Sequence, residues 1–300
     1  MGWIYLSLAA AFFYAFRYII IKKHLSSCDT AVITFAARFF GALFITPALF
    51  FVSIPAGASS PLFWKTILAT ATLTGIASMM QFHSIKKHEI SSSLPFISFV
   101  PLFMVFFVYI IFGELPDPRA AGGMIFLCAG AFVINGEAGS PAFSTFLGAS
   151  KNPGAILFFL ASIILGLTTA LDRLAIVESG AGGLAYTIFW NVFSALLFSA
   201  IFLNPESRRG YVNQIAAHPC AFTLQGFFGI AAFASQMLAV ECARDVSANV
   251  IYVKTLTLLQ LFIGVIFGIA MFGEKNPRKK IAGSLLMLSG AIIITLFAKK

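Results

Sequence analysis

The chain has 300 residues, of which 59% are hydrophobic and only 10% charged, with a formal net charge of +9 and a mean hydropathy of +0.94. A water-soluble domain carries about 25% charged residues, so this chain has too few to cover an aqueous surface, and lipid is the expected solvent for most of it. Its basic residues punctuate apolar runs in ones to fours rather than forming one face or tract, which excludes a nucleic-acid-binding surface and fits the loop charges of a membrane protein.

A membrane helix needs about 20 mostly apolar residues. Runs bounded by charge, Pro or Gly clusters predict ten spans: Gly2–Ile21, Thr30–Val52, Leu62–Ser84, Ser91–Phe112, Arg119–Asn135, Pro153–Leu171, Gly183–Leu203, Pro219–Cys242, Ser247–Phe272 and Lys280–Phe297. No basic residue precedes the first run, so it reads as a permanent span rather than a secretory signal. The stretch from Asn135 to Asn152 is the longest polar interruption and lies near the midpoint. It predicts a linker over 138–152 between two five-helix halves, 1–137 and 153–300. The expected fold is an all-α integral membrane protein without a soluble domain. Cys28, Cys128, Cys220 and Cys242 form no C-x-x-C pair, and His83 and His88 lack helical metal-ligand spacing, so no metal or other cofactor is expected.

The halves repeat. Phe112-Gly113-Glu114 recurs 160 residues on as Phe272-Gly273-Glu274, and the same offset pairs Gly123 with Gly283, Gly130 with Gly290 and Ala131 with Ala291. Weaker echoes pair Gln81 with Gln236 and Arg38 with Asn191. Five spans is an odd number, so two such copies enter the membrane from opposite sides, the inverted-repeat arrangement of many secondary transporters.

Ten spans in two five-helix repeats, each closed by a Gly-Glu turn and a glycine-bearing span, resemble the drug/metabolite transporter superfamily in its EamA group. Gly113-Glu114 and Gly273-Glu274 carry this resemblance, with Pro101 and Arg38 where that family often has Pro and Arg. It implies a multi-pass protein of the cell membrane that moves amino acids, sugars, nucleotide-sugars or other metabolites, frequently outward. One departure is that span nine lacks the proline that symmetry with span four would place there and carries Lys254 instead.

An ionised side chain deep in hydrocarbon costs several kcal/mol, about 3 on insertion scales, so it should face a wet cavity or a partner. Arg38 and Lys254 are the expected cationic groups of a central solute site, while Arg17 is read as a residue that snorkels from a helix end. Glu114, Asp117 and Glu274 fall at turns, and Glu241 and Asp172 near helix ends, so no carboxylate is expected within a span. That balance favours a solute bearing carboxylate or phosphate. Gln81, Asn191, Gln236, Asn249, Tyr252, Thr255 and Gln260 lie within apolar runs and either line the site or bond one another. Pro95 and Pro101 are candidates for a gating kink in span four. Glu114 and Glu274 are read as structural turn residues beside helix starts.

The turns after odd-numbered spans hold eleven basic residues and the opposite turns six. This tally places both termini outside, whereas the family resemblance implies the reverse, and orientation stays open. So does the choice between monomer and homodimer. A membrane-embedded enzyme is the rival reading, but H-E-x-x-H, G-x-S-x-G and a P-loop are all missing, so no catalytic residue is assigned.

Overall fold

A computed structural model describes residues 2–51, 53–87, 99–135, 153–247, 249–272 and 277–298. Among these, 89% are helical and none lies in a strand. The helices are α1 (Gly2–His24), α2 (Thr30–Ile45), α3 (Pro61–Lys87), α4 (Val100–Phe112), α5 (Pro118–Asn135), α6 (Pro153–Arg173), α7 (Gly182–Phe198), α8 (Pro205–Ala217), α9 (Pro219–Cys242), α10 (Asn249–Thr257), α11 (Leu259–Phe272) and α12 (Pro277–Phe297).

Among the described residues, six segments are long and apolar enough to cross a membrane: Gly2–Ile21, Thr30–Phe50, Pro61–Met80, Pro153–Glu178, Gly182–Leu203 and Pro219–Cys242. Four shorter apolar helices accompany them, Val100–Phe112, Pro118–Val133, Asn249–Gly264 and Ile281–Phe297. Large apolar side chains stand exposed along these segments, among them Leu43, Leu102, Ile125, Leu196 and Leu285, while Asn191, Gln225, Gln236 and Thr255 are buried. That reversal of the soluble pattern is what a lipid solvent selects, and the chain is an integral membrane protein. Within the helices, Ser7, Thr34, Ser162 and Thr187 each donate to the carbonyl four residues back. Their hydroxyls are thereby satisfied without water.

Local chemistry sets several helix ends. The Asp29 carboxylate accepts the Ala31 N–H at 2.9 Å and opens α2. Asn204 does the same for Glu206 ahead of α8, with Pro205 in the first turn. Gly113 closes α4 in the left-handed region at φ +70°, a conformation that favours glycine.

Three sequence expectations change. The stretch between spans seven and eight is no simple turn: α8 forms there, resting Tyr211 and Ile215 on the buried cluster of Leu25, Val32, Ile33, Ala36 and Phe222. Span nine is interrupted at Leu258, between α10 and α11, despite having no proline. Thr255 and Thr257 donate to Ile251 O and Lys254 O at 2.7 Å, so two hydroxyls bond to backbone carbonyls in the turn just before the break. The sixth span does not stop at Leu171. It runs on through a π-turn, Leu174–Glu178, which brings Asp172 and Arg173 inside the apolar segment.

The described helices cluster into two compact units, and each takes segments from both sequence halves. One comprises 1–72 and 172–242, the other 73–171 and 243–300. In the first, α9 is the common partner: α1, α2 and α7 all pack on it. Its glycines permit close approach. A Cβ on Gly226 would lie 2.5 Å from Phe40 Cβ, and one on Gly229 would touch Arg17 Cδ at 3.4 Å. In the second unit α5 packs on α12 through four glycines. A Cβ on Gly123 would fall 2.8 Å from Gly290 O, and one on Gly130 2.5 Å from Gly283 O.

Candidate functional site

The first unit contains a connected polar cluster built by α1, α2, α3, α7 and the end of α6. The Arg38 guanidinium of α2 lies 4.4 Å from the centre of the Trp190 ring on α7, a cation–π contact. The indole Nε1–H donates to Thr70 Oγ1 on α3 at 3.1 Å. Thr70 Oγ1 and the Tyr186 hydroxyl share a hydrogen bond of 3.0 Å, and the Tyr186 hydroxyl donates to Asp172 Oδ1 at 2.5 Å. A continuous path of contacts thus joins a guanidinium to a buried carboxylate.

Arg17 is also part of this cluster. Its side chain runs across Gly229 of α9, and its charge and that of Arg38 act on each other and on Tyr14. The buried Nε of Arg17 and of Arg38 each lack a hydrogen-bond partner among the described residues. Leaving a buried donor unmade costs about 1–3 kcal/mol, which marks both groups as waiting for an acceptor. The Nη2 of Arg173 lies 3.9 Å from Glu178 Oε1, so this third guanidinium has a carboxylate within ion-pair distance.

The residues predicted from sequence divide between the units. Arg38, Asn191 and Gln236 lie in the first. Asn191 is buried, donates to Thr187 O at 2.9 Å, and places its Oδ1 3.3 Å from where a Cβ on Gly41 would stand. Gln236 is buried and engaged. Lys254, Asn249, Tyr252, Gln260, Glu114 and Pro101 lie in the second. There Tyr252 accepts the Asp117 N–H at 2.7 Å, tying α10 to the turn between α4 and α5. Asn249 donates to Ala243 O and accepts the Val250 N–H, which makes it a local brace at the start of α10. Ser247 donates to Glu114 at 3.4 Å across the same turn. Lys254 is partly buried and engaged, and Gln260 has a buried Oε1 without a partner among the described residues. Pro101 stands in the first turn of α4, where the absent N–H costs no intrahelical bond. The side chain of Gln81, with Pro95, Glu274 and the 138–152 linker, lies outside the described residues.

Tyr14, Arg17, Thr70, Asp172, Tyr186, Trp190 and Gln225 were not expected from sequence. Gln225, fully buried, donates to Ile33 O at 2.9 Å and clamps α9 to α2. Two of these residues did leave a signal. Leu-Ala-Ile-Val follows Asp172-Arg173, and Tyr-Ile-Ile-Ile follows Arg17, so both charges interrupt apolar runs rather than end them. The absence of a carboxylate within a span is therefore overturned by Asp172.

A comparison with curated proteins finds no match. Among solved structures, a crystal structure described only as that of a protein is similar over 100% of this chain and 99% of that one, with 16% identity and a TM-score of 0.72. At that identity the similarity is one of fold. The family model of the EamA-like transporters matches residues 1–136, consistent with the drug/metabolite transporter superfamily. That match takes in somewhat less than half of the chain, and over those residues the sequence is similar to the EamA-like transporters.

Proposed function

We propose that the protein is a secondary transporter that carries a small polar or anionic metabolite, such as an amino acid, an organic acid or a phosphorylated metabolite, by alternating access. It works without chemical change to the solute and resides in the cell membrane. Ten membrane segments form two inverted five-helix repeats in this reading. The six long and four shorter apolar segments support it, and so does the pairing of glycines on α5 and α12. The 160-residue offset turns Gly123 into Gly283 and Gly130 into Gly290. Applied as an exchange, it converts the Gly123–Gly290 contact into Gly283–Gly130, which is the other contact observed. Reciprocity of that kind is what a two-fold relation between repeats produces.

One observation carries the choice of solute. Arg38 sits within a span on the face of Trp190, with a buried donor unpartnered among the described residues. An intramembrane cation held in this way needs an anionic or strongly accepting group to complete it. Reconstitution into proteoliposomes and counterflow of labelled amino acids, organic acids and phosphorylated metabolites tests it. Flux of an anionic or zwitterionic solute, lost on Arg38→Gln, is expected. Flux of hydrophobic cations alone would overturn the proposal.

A further inference from the structure

The charges of the first unit narrow the solute further, on the reading that this site binds a small anionic or polar metabolite. Arg17 and Arg38 contribute two positive charges and Asp172 one negative, and all three act on Tyr14. Arg173 is set apart by its approach to Glu178. Glu241 accepts the Gly183 N–H at 2.7 Å at the start of α7, where the positive end of the helix dipole offsets its charge. The cluster itself is thus left with one net positive charge. A site walled off from water favours the occupant that brings its total nearest to zero, because uncompensated charge in low dielectric is expensive.

From this tally and the two orphaned Nε donors, we infer that Arg17 and Arg38 together bind one singly charged carboxylate, and that Asp172 sets the preference for a monoanion over a phosphomonoester dianion. A carboxylate has two oxygens, and each can accept from one guanidinium. A dianion would leave the site one charge negative and would meet the Asp172 carboxylate as a like charge. Asp172 is here a specificity residue. It acts through its field and through the Tyr186–Thr70–Trp190 contacts, which hold the aromatic ring under Arg38.

The test uses the full chain, purified and reconstituted in lipid nanodiscs at about pH 7.5, where a phosphomonoester is close to doubly charged. Short hydroxy and amino monocarboxylates, and phosphomonoesters of the same carbon skeletons, are titrated in parallel while thermal stabilisation is followed. Wild type should bind the monocarboxylates more tightly. Asp172→Asn keeps an acceptor for the Tyr186 hydroxyl and raises the net charge by one, so the preference should move toward the phosphomonoesters by tenfold or more. Arg17→Gln lowers the net charge by one and should weaken monocarboxylate binding about tenfold or more, with Arg17→Lys retaining part of it. The two variants move the charge in opposite directions, so either one tests the inference if the other fails to fold. An unchanged preference in Asp172→Asn, or unchanged monocarboxylate binding in Arg17→Gln while Arg38→Gln weakens it, would overturn this inference and leave the transporter reading in place. Wild-type binding of neither class would overturn both.

Discussion

Gly130→Ala gives the most direct reading of the helix contact that supports the repeat. The added methyl would lie 2.5 Å from Gly283 O, 2.6 Å from Met287 Cγ and 2.7 Å from Met287 N. Two of those three atoms are backbone, so no side chain can simply turn away, and α5 and α12 must separate by several tenths of an ångström. Overpacking of this kind costs about 1–3 kcal/mol. Replacing Gly by Ala within a helix returns about 1 kcal/mol of propensity, so Gly130→Ala alone would understate the clash. Gly122→Ala is the matched control: it lies on the same helix, its Cβ meets nothing within 4 Å, and it gains the same propensity. The difference between the two variants isolates packing at about 1–3 kcal/mol, or several degrees in apparent midpoint at about 2–4 °C per kcal/mol. The assay is thermal unfolding of both variants in one detergent, monitored by a dye at free cysteines. Equal midpoints would show that α5 and α12 do not meet through Gly130. The reciprocal pair adds a second readout. Gly123→Ala and Gly290→Ala crowd the same crossing, so the double variant should cost less than the two singles together.

Other expectations follow from single contacts. Arg38→Gln should lower flux of an anionic solute about tenfold to a hundredfold, the loss of one charge-assisted bond. Arg38→Lys should recover only part of it, because an ammonium lacks the planar face that rests on Trp190; counterflow in proteoliposomes measures both. Tyr252→Phe should lower stability by about 1 kcal/mol by freeing the Asp117 N–H and leave solute affinity unchanged, as checked by unfolding and by titration of the same sample. Burial raises the pKa of the Cys28 thiol, between α1 and α2. A raised pKa leaves less thiolate at neutral pH, so maleimide should label Cys28 more slowly than exposed Cys220, and the Cys28 rate should keep climbing at higher pH. Equal rates at neutral pH, read by mass spectrometry, would contradict this.

Hydropathy made the medium and most of the segments legible. Hydropathy predicts Pro219–Cys242 and Gly2–Ile21 with the bounds the structure has, because lipid acts on each residue through its own transfer free energy, with no knowledge of neighbours. Arg38 was visible for the same reason: a charge eight residues into an apolar run is anomalous wherever the helix faces. Partners are another matter. Thr70 meets Tyr186 across 116 residues and Gln225 meets Ile33 across 192, and no local pattern specifies such pairs. The sequence therefore predicts a snorkelling Arg17, whereas in the structure its side chain lies against Gly229 of α9. Tyr252 and Asn249 lie within an apolar run, and nothing local in it specifies Asp117 and Ala243 as their partners. The repeat is the instructive case. Sequence alone matched Gly123 to Gly283 by position in each half, yet it took the packed helices to join Gly123 to Gly290, because a missing side chain marks where a backbone may approach and only the fold brings one there.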